Sequence, residues 1–332
     1  MPLIVSDRSS YPWAKILRGT LLSRRNSNGK ASSAHDLRGE IQMRNVLSSM
    51  MLRCAIAVLC AIQLVGAAPL CAAQTAAPVP DLDGIAHVAI RVSDLEKSRD
   101  FYAALGFEQA FARSKNGIPT EAFLKVNDRQ FIELYPRENA SQQVGFMHVC
   151  FESKDLNALQ RAYTARGLSP TDVRRAGAGN LLFTMRGPEN QNLEYTQYMP
   201  GSMHSNDRGK HLGANRISSS FVGVSIGMRN TTAARAFYLD KLAFQTTHAP
   251  LTRHAEAGTW LVLPGDSTSQ IEISNLTESD PGEFQIYFVV ASLKKAEYQL
   301  SSAHLKFQKS RHSISVSDPD GNHVVLLPSA HP

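Results

Sequence analysis

His87, Glu133, His148 and Glu194 follow one another at separations of 46, 15 and 46 residues, so the two His-to-Glu intervals are equal. Each lies inside an apolar run of strand character: Gly84 to Ile90, Phe131 to Tyr135, Phe146 to Phe151, and Asn192 to Tyr195. Imidazoles and carboxylates on such runs face burial, and buried polar groups need partners. Two of each converging from a sheet make a nest for one divalent cation, Zn²⁺, Ni²⁺, Fe²⁺ or Mn²⁺, with one or two positions left for water or substrate. A single His or Glu on a strand is ordinarily a solvent-facing or hydrogen-bonded side chain. The repeated interval is what sets these four apart.

Positioning them falls to a unit that recurs along the chain. Ile85 to Phe107 reads as strand, cap, helix and stop. The strand alternates through Val92, Ser93 and Glu96 have the spacing of a capping box, and Leu95, Phe101, Tyr102 and Leu105 recur near helical spacing before Gly106. The phrase returns from Val222 to Phe244, where Ala236-Phe-Tyr238 matches Asp100-Phe-Tyr102. Weaker copies start at Met147, with a helix near Leu156 to Arg166, and at Phe284, with a helix near Leu293 to Ser301. Short strands separated by turn residues follow each helix, which gives four βαβββ units. Such a unit leaves one sheet face bare and must pair with another. The polar, Gly-containing stretch from Pro200 to Gly213 divides the units two and two, so domains are expected over 82–200 and 217–330 with a linker over 201–216.

Residues 1–73 read as a leader. A positive flank at Arg53, an apolar run from Cys54 to Ala68 and small residues ending at Ala73 describe a secretory signal over about 43–73, too short for an ordinary membrane span. The stretch before Met43 is Ser- and Arg-rich, so translation could start at Met1, Met43, Met50 or Met51. The leader holds nine Lys/Arg against three Asp/Glu, leaving 26 of each for residues 74–332. The exported part is therefore neutral and carries no basic stripe for nucleic acid. Cys54, Cys60 and Cys71 also belong to the leader, so Cys150 alone remains and reads as a small buried hydrophobe.

Ile85-Ala-His-Val-Ala-Ile-Arg-Val-Ser-Asp-Leu-Glu-Lys-Ser-Arg-Asp-Phe-Tyr102, Ile132-Glu-Leu134, Met147-His-Val149 and Gly187-Pro-Glu-Asn-Gln-Asn-Leu-Glu194 resemble the vicinal oxygen chelate (VOC) superfamily. That superfamily includes glyoxalase I, extradiol dioxygenases and fosfomycin or bleomycin resistance proteins. The resemblance covers the chain beyond the leader and is specific in its first half. It implies an α+β fold whose four βαβββ modules pair into two half-open barrels. It also implies that His87, Glu133, His148 and Glu194 are ligands of one divalent metal. In the second half the matching positions are Gly223, Glu272, Gln285 and Val325, so that half is expected to be free of metal.

Two family reactions compete. His87, His148 and Glu194 supply the two His and one Glu of an extradiol dioxygenase, yet the places of that family's acid/base His and Tyr hold Glu133 and Thr184. Glyoxalase-type and epimerase-type members instead hold an enediolate on the metal while a carboxylate moves a proton, a role open to Glu133 or Glu194. Arg91, four residues after His87, stands where glyoxalase I has an arginine that contacts a substrate carboxylate, and even spacing puts both on one sheet face. The loop Arg174 to Asn180 reads either as a plain turn or as a gate or anion site. The expectation is a metal-dependent lyase or isomerase acting on a small carbonyl compound, with a dioxygenase or a non-catalytic sequestering protein as alternatives. The protein is expected in the periplasm or secreted, with no membrane contact after cleavage, as a monomer or homodimer. Mass spectrometry of the exported fraction should find the mature N-terminus within a few residues of Gln74, and an intact leader in a cytoplasmic fraction would contradict this.

Overall fold

The structure is a computed structural model, and it describes residues 78–247, 259–276 and 284–329. The expected leader lies outside these residues. Residues 75–332 form one compact unit, described below.

Among the described residues the first half contains β1 (Gly84–Val92), α1 (Leu95–Ala104), β2 (Gln109–Lys115), β3 (Ile118–Lys125), β4 (Phe131–Pro136), β5 (Gly145–Glu152), α2 (Leu156–Ala165), β6 (Arg174–Arg175), β7 (Leu181–Arg186) and β8 (Asn192–Gln197). They build one eight-stranded sheet in the order β2-β3-β4-β1-β5-β8-β7-β6. A short helix, α3 (Met203–Asn206), follows. The second half contains β9 (Phe221–Met228), α4 (Thr231–Ala236) and a wider turn at Phe237–Lys241, then β10 (Gln245–Thr247), β11 (Thr259–Leu263) and β12 (Asp266–Asn275). β13 (Gln285–Val290), α5 (Leu293–Ser302), β14 (Phe307–Lys309), β15 (Ile314–Ser317) and β16 (His323–Pro328) complete it. Its sheet has the same order, β10-β11-β12-β9-β13-β16-β15-β14. Each sheet is two βαβββ modules joined along one antiparallel seam, β1 against β5 and β9 against β13. This is the expected α+β architecture, with modules one and two paired to each other.

Side chains alternate between the two faces of each strand. Val88, Ile90 and Val92 on β1, Ile132 and Leu134 on β4, Val149 and Phe151 on β5, and Leu193 and Tyr195 on β8 point into the apolar core with the helices. His87, Glu133, His148 and Glu194 belong to the opposite parity and so share the concave face. Helix α1 is capped by Asp94, whose side chain accepts from the backbone N–H of Glu96 and Lys97. The expected Ser93/Glu96 capping box is thus displaced by one residue, because the Ser93 N–H is turned to Asp320 Oδ2 at 2.9 Å, in the other half of the chain. Gly106 follows the end of α1 at φ +86°, and a Cβ there would lie 2.4 Å from Arg216 Cα, so both the left-handed turn and the close chain crossing require glycine.

The stretch expected as a linker packs on the first sheet. Lys125 on β3, 0 % exposed, donates to Asp207 Oδ2 at 2.8 Å and to the Asp207 carbonyl at 2.6 Å, with Asp128 Oδ1 also at 2.8 Å. The Gly209 N–H donates to Asp128 Oδ1, the Met203 N–H to the Ala178 carbonyl, and the Tyr198 hydroxyl to the Arg129 carbonyl. Removing one partner of a buried ion pair strands the other charge, at a cost of about 3–5 kcal/mol. Lys125→Met should therefore lower unfolding free energy by about that amount in a urea titration and open 201–211 to proteolysis before the sheet.

Candidate active site

Ladder register brings the four residues together. At the seam His87 stands opposite Cys150, and β4 and β8 run parallel to β1 and β5 on either side, with Glu133 beside Ala89 and Glu194 beside Cys150. His87 Nε2 lies 3.2 Å from His148 Nε2 and 3.3 Å from Glu194 Oε1, which is 3.9 Å from His148 Nε2. Glu133 approaches from the other side of the ring: its Oε1 is 3.1 Å from His87 Nδ1. His87, Glu133 and His148 are 5 %, 3 % and 7 % exposed. Cys150 joins the group, since His87, Cys150 and Glu194 each offer a donor atom within 4.8 Å of the others.

A cavity of about 190 Å³ opens over His87, Glu133 and Glu194. Glu121 and Tyr135 complete its acidic wall: the Tyr135 oxygen contacts Glu121 Oε1 and, at 2.9 Å, Glu133 Oε2. Three oxygens in a row with two contacts need two hydrogens, and the phenol has one, so a carboxyl must supply the other. Accordingly burial pushes the Glu133 carboxyl up to about 8, with His87 opposing and the charges of Glu121 and Glu194 adding. Burial works against ionising His87 as well, but Glu133 and Glu194 prevail and its pKa is raised. Burial pushes His148 down to about 4. Glu194 is depressed to about 2, where its hydrogen bond with His87 and the two imidazoles overcome the effect of burial.

This donor set fits a divalent cation. Carboxylates flank both ring nitrogens of His87, and two Nε2 atoms face each other at 3.2 Å. Without a metal such contacts need extra protons. The donor separations around Nε2, 3.2, 3.3 and 3.9 Å, suit ligands about 2.1 Å from a common centre. In the second sheet the equivalent ladder positions hold Gly223 opposite Tyr287, with Glu272, Gln285 and Val325. A large phenol replaces the small Cys150 where the imidazole is missing. Its hydroxyl donates to Glu272 Oε2 at 2.7 Å, and Trp260, Val325 and Leu327 pack against its ring. Among the described residues, donor groups able to hold a metal converge only in the first half.

Arg91 shares the concave parity of His87, but four residues of strand carry it about 13 Å farther along β1. It lies outside the cavity lining, and its guanidinium donates to the Gln143 carbonyl at 3.4 Å. Arg113 and Arg174 line the cavity instead, with Arg113 paired to Glu121 at 2.9 Å. Glu121, Tyr135, Tyr198 and His204 also line the cavity, outside the set expected from the sequence. The first two were accessible by parity, being two residues from Phe123 and Glu133 on facing strands. His204, buried on α3, lines the cavity with Nε2 3.9 Å from Glu133 Oε1, and burial pushes its pKa down to about 3.

Residues 84–195 match the family model of the Glyoxalase/Bleomycin resistance protein/Dioxygenase superfamily. They are a domain of this superfamily. Solved structures show the fold over a longer stretch of the chain. The Mn(II)-bound glyoxalase from Novosphingobium aromaticivorans aligns at TM-score 0.57 and 15 % identity, over 75 % of this chain and 83 % of that one. The 2,3-dioxygenase LapB from Pseudomonas sp. KL28 aligns at 0.56 and 16 %, over 76 % and 94 %. Homoprotocatechuate 2,3-dioxygenase from Arthrobacter globiformis aligns at 0.57 and 14 %, over 76 % and 81 %. No curated protein matches the sequence.

Metal uptake by this superfamily domain should be proton-linked. A proton on Glu133 below about 8, and the second proton on His87, whose pKa is raised, both compete with the cation. Affinity for Mn²⁺ or Zn²⁺ should therefore increase as pH rises toward 8, with proton release on binding. Calorimetry in buffers of different ionisation enthalpy measures this, and an affinity indifferent to pH would contradict it.

Proposed function

We propose that the chain is a metal-dependent enzyme of the glyoxalase type, a lyase or isomerase that moves a proton between neighbouring carbons of a small carbonyl substrate. One observation carries the reading: Glu133 lines the cavity as a carboxyl titrating near 8, on the face of His87 turned away from His148 and Glu194. His87 Nε2, His148 Nε2 and Glu194 Oε1 would hold a single divalent ion, which when bound stabilises negative charge developing on a substrate oxygen.

The remaining steps belong to the chain. Glu133 takes the proton from the substrate carbon and returns it to the neighbouring one, so a single carboxyl serves as base and then acid. A base is most effective when its pKa lies near the working pH, which burial achieves here. Tyr135, hydrogen-bonded to Glu133 Oε2, and His87 Nδ1, 3.1 Å from Oε1, together fix the rotamer of that carboxylate at the cavity wall. Arg174 is the cavity cation available to an anionic group of the substrate, the role the resemblance gave to Arg91. Export after removal of the leader belongs to the same proposal, and it points to a substrate other than a glutathione conjugate.

A second reading has its own support. Since Glu133 reaches the Nδ1 side, the Nε2 side of His87 presents two imidazoles and one carboxylate, the donor set of a ring-cleaving dioxygenase. Glu133→Gln separates the two. Proton transfer on a hemithioacetal should fall by two orders of magnitude or more, with metal content held near one ion per chain. Ring cleavage of a catechol would survive the substitution, and His148→Ala would abolish either reaction with loss of metal. Full turnover of a hemithioacetal by metal-loaded Glu133→Gln would refute the proton-transfer reading.

A further inference from the structure

His204 comes from neither module. It stands on α3, in the segment clamped to the first sheet by Lys125 and Asp207. Its ring is caged by Phe111, Phe123 and Phe131, all near perpendicular at centroid distances of 4.9, 5.3 and 4.7 Å, with Tyr198 at 5.2 Å. Four aromatic walls leave the imidazole one orientation.

The hydrogen bonds then fix where its proton sits. The Met199 N–H donates to Asn180 Oδ1 at 3.1 Å, which sets the orientation of that amide. Asn180 Nδ2, a donor only, consequently faces His204 Nδ1 at 3.0 Å. Nδ1 must accept, so in the neutral ring the hydrogen is on Nε2. That Nε2–H is buried, lines the cavity and has no hydrogen-bond partner. Glu133 Oε1, at 3.9 Å, is too far to accept it. Buried donors are nearly always satisfied, so an orphan aimed into a cavity marks the place of a ligand acceptor.

We infer that His204 is a substrate-contacting residue, whose Nε2–H donates a hydrogen bond to an oxygen of a small oxo or hydroxy acid seated over Glu133. This rests on the metal-dependent reading of the same site. The cavity, about 190 Å³, leaves room for such a compact group beside Glu133 and His204. The donor is locked in one tautomer by Asn180 and offers its hydrogen without rearrangement.

Oxalate, a small dianion with oxygens on adjacent carbons, is the probe, titrated into the Mn²⁺-loaded full chain by calorimetry. His204→Phe keeps an aromatic ring in the cage and removes the N–H. His204→Gln restores an N–H at a similar reach. The expected result is at least a tenfold loss of oxalate affinity in His204→Phe at unchanged Mn²⁺ content, with recovery of most of it in His204→Gln. Unchanged affinity in His204→Phe at full Mn²⁺ occupancy would overturn the inference and leave the metal-dependent reading standing. A wild-type chain that takes up no Mn²⁺ or other divalent ion would overturn both, and would do so before any variant is compared. If His204→Phe fails to fold, ¹⁵N NMR of histidine-labelled wild type decides: the Nε2–H tautomer with a shift on adding oxalate supports the inference, and an Nδ1–H tautomer or an unmoved resonance refutes it.

Discussion

The antiparallel seam between β1 and β5 is the constraint from which the rest of the first half follows. It sets His87 against Cys150 and brings β4 and β8 alongside as parallel neighbours, so Glu133 and Glu194 reach His87 from opposite sides. A shift of one residue in that pairing would send one module's donors to the helix side, because strand side chains alternate with a period of two. The second sheet shows that the seam does not need the chemistry. It keeps the same strand order and equivalent ladder positions while Gly223 faces Tyr287. The pairing carries the fold, and the side chains set on it carry the function.

Charge imposes a second constraint. Glu121, Glu133 and Glu194 line one small cavity, and the cations among its lining residues are Arg113, already paired with Glu121, and Arg174. Carboxylates so close together cannot all ionise without a counter-charge. The fold meets this with shared protons at Tyr135 and His87, and a divalent ion would serve the same purpose while freeing those protons. The fit of this donor set to a divalent ion and the proton that burial keeps on Glu133 are thus two aspects of one excess of negative charge.

Much of this was legible in the sequence because it is local or periodic. Strand alternation, the recurring Phe-Tyr pair and the equal His-to-Glu intervals located the modules and the concave face. Parity alone would have added Glu121, Tyr135 and Cys150. Side-chain reach was less accessible: Arg91 has the right face but the wrong distance, a quantity that spacing along one strand does not contain. Asp94, rather than Ser93, caps α1 because Asp320, more than two hundred residues away, claims the Ser93 N–H. His204 was hidden for the same reason. Its place depends on Lys125 meeting Asp207 and on an aromatic cage drawn from β2, β3 and β4, whereas the segment itself has the composition of a linker.

Concentrating unsatisfied polar groups in one sheet leaves a stability problem that the second sheet helps to solve. The two halves share one apolar core, with Phe107 stacked on Phe288 at 5.2 Å and Phe146 on Phe284 at 4.5 Å. They also exchange backbone hydrogen bonds, Ile217 N–H to the Leu105 carbonyl at 2.8 Å among them. On its concave face the second sheet carries the apolar cluster of Trp260, Tyr287, Val325 and Leu327 where the first carries charge. Burying each such side chain stabilises by about 1.5–3 kcal/mol, comparable to the penalty of one poorly satisfied buried polar group. With Gly223 and Val325 at these positions the second sheet buries apolar side chains where the first buries polar ones, and both halves draw on one shared core.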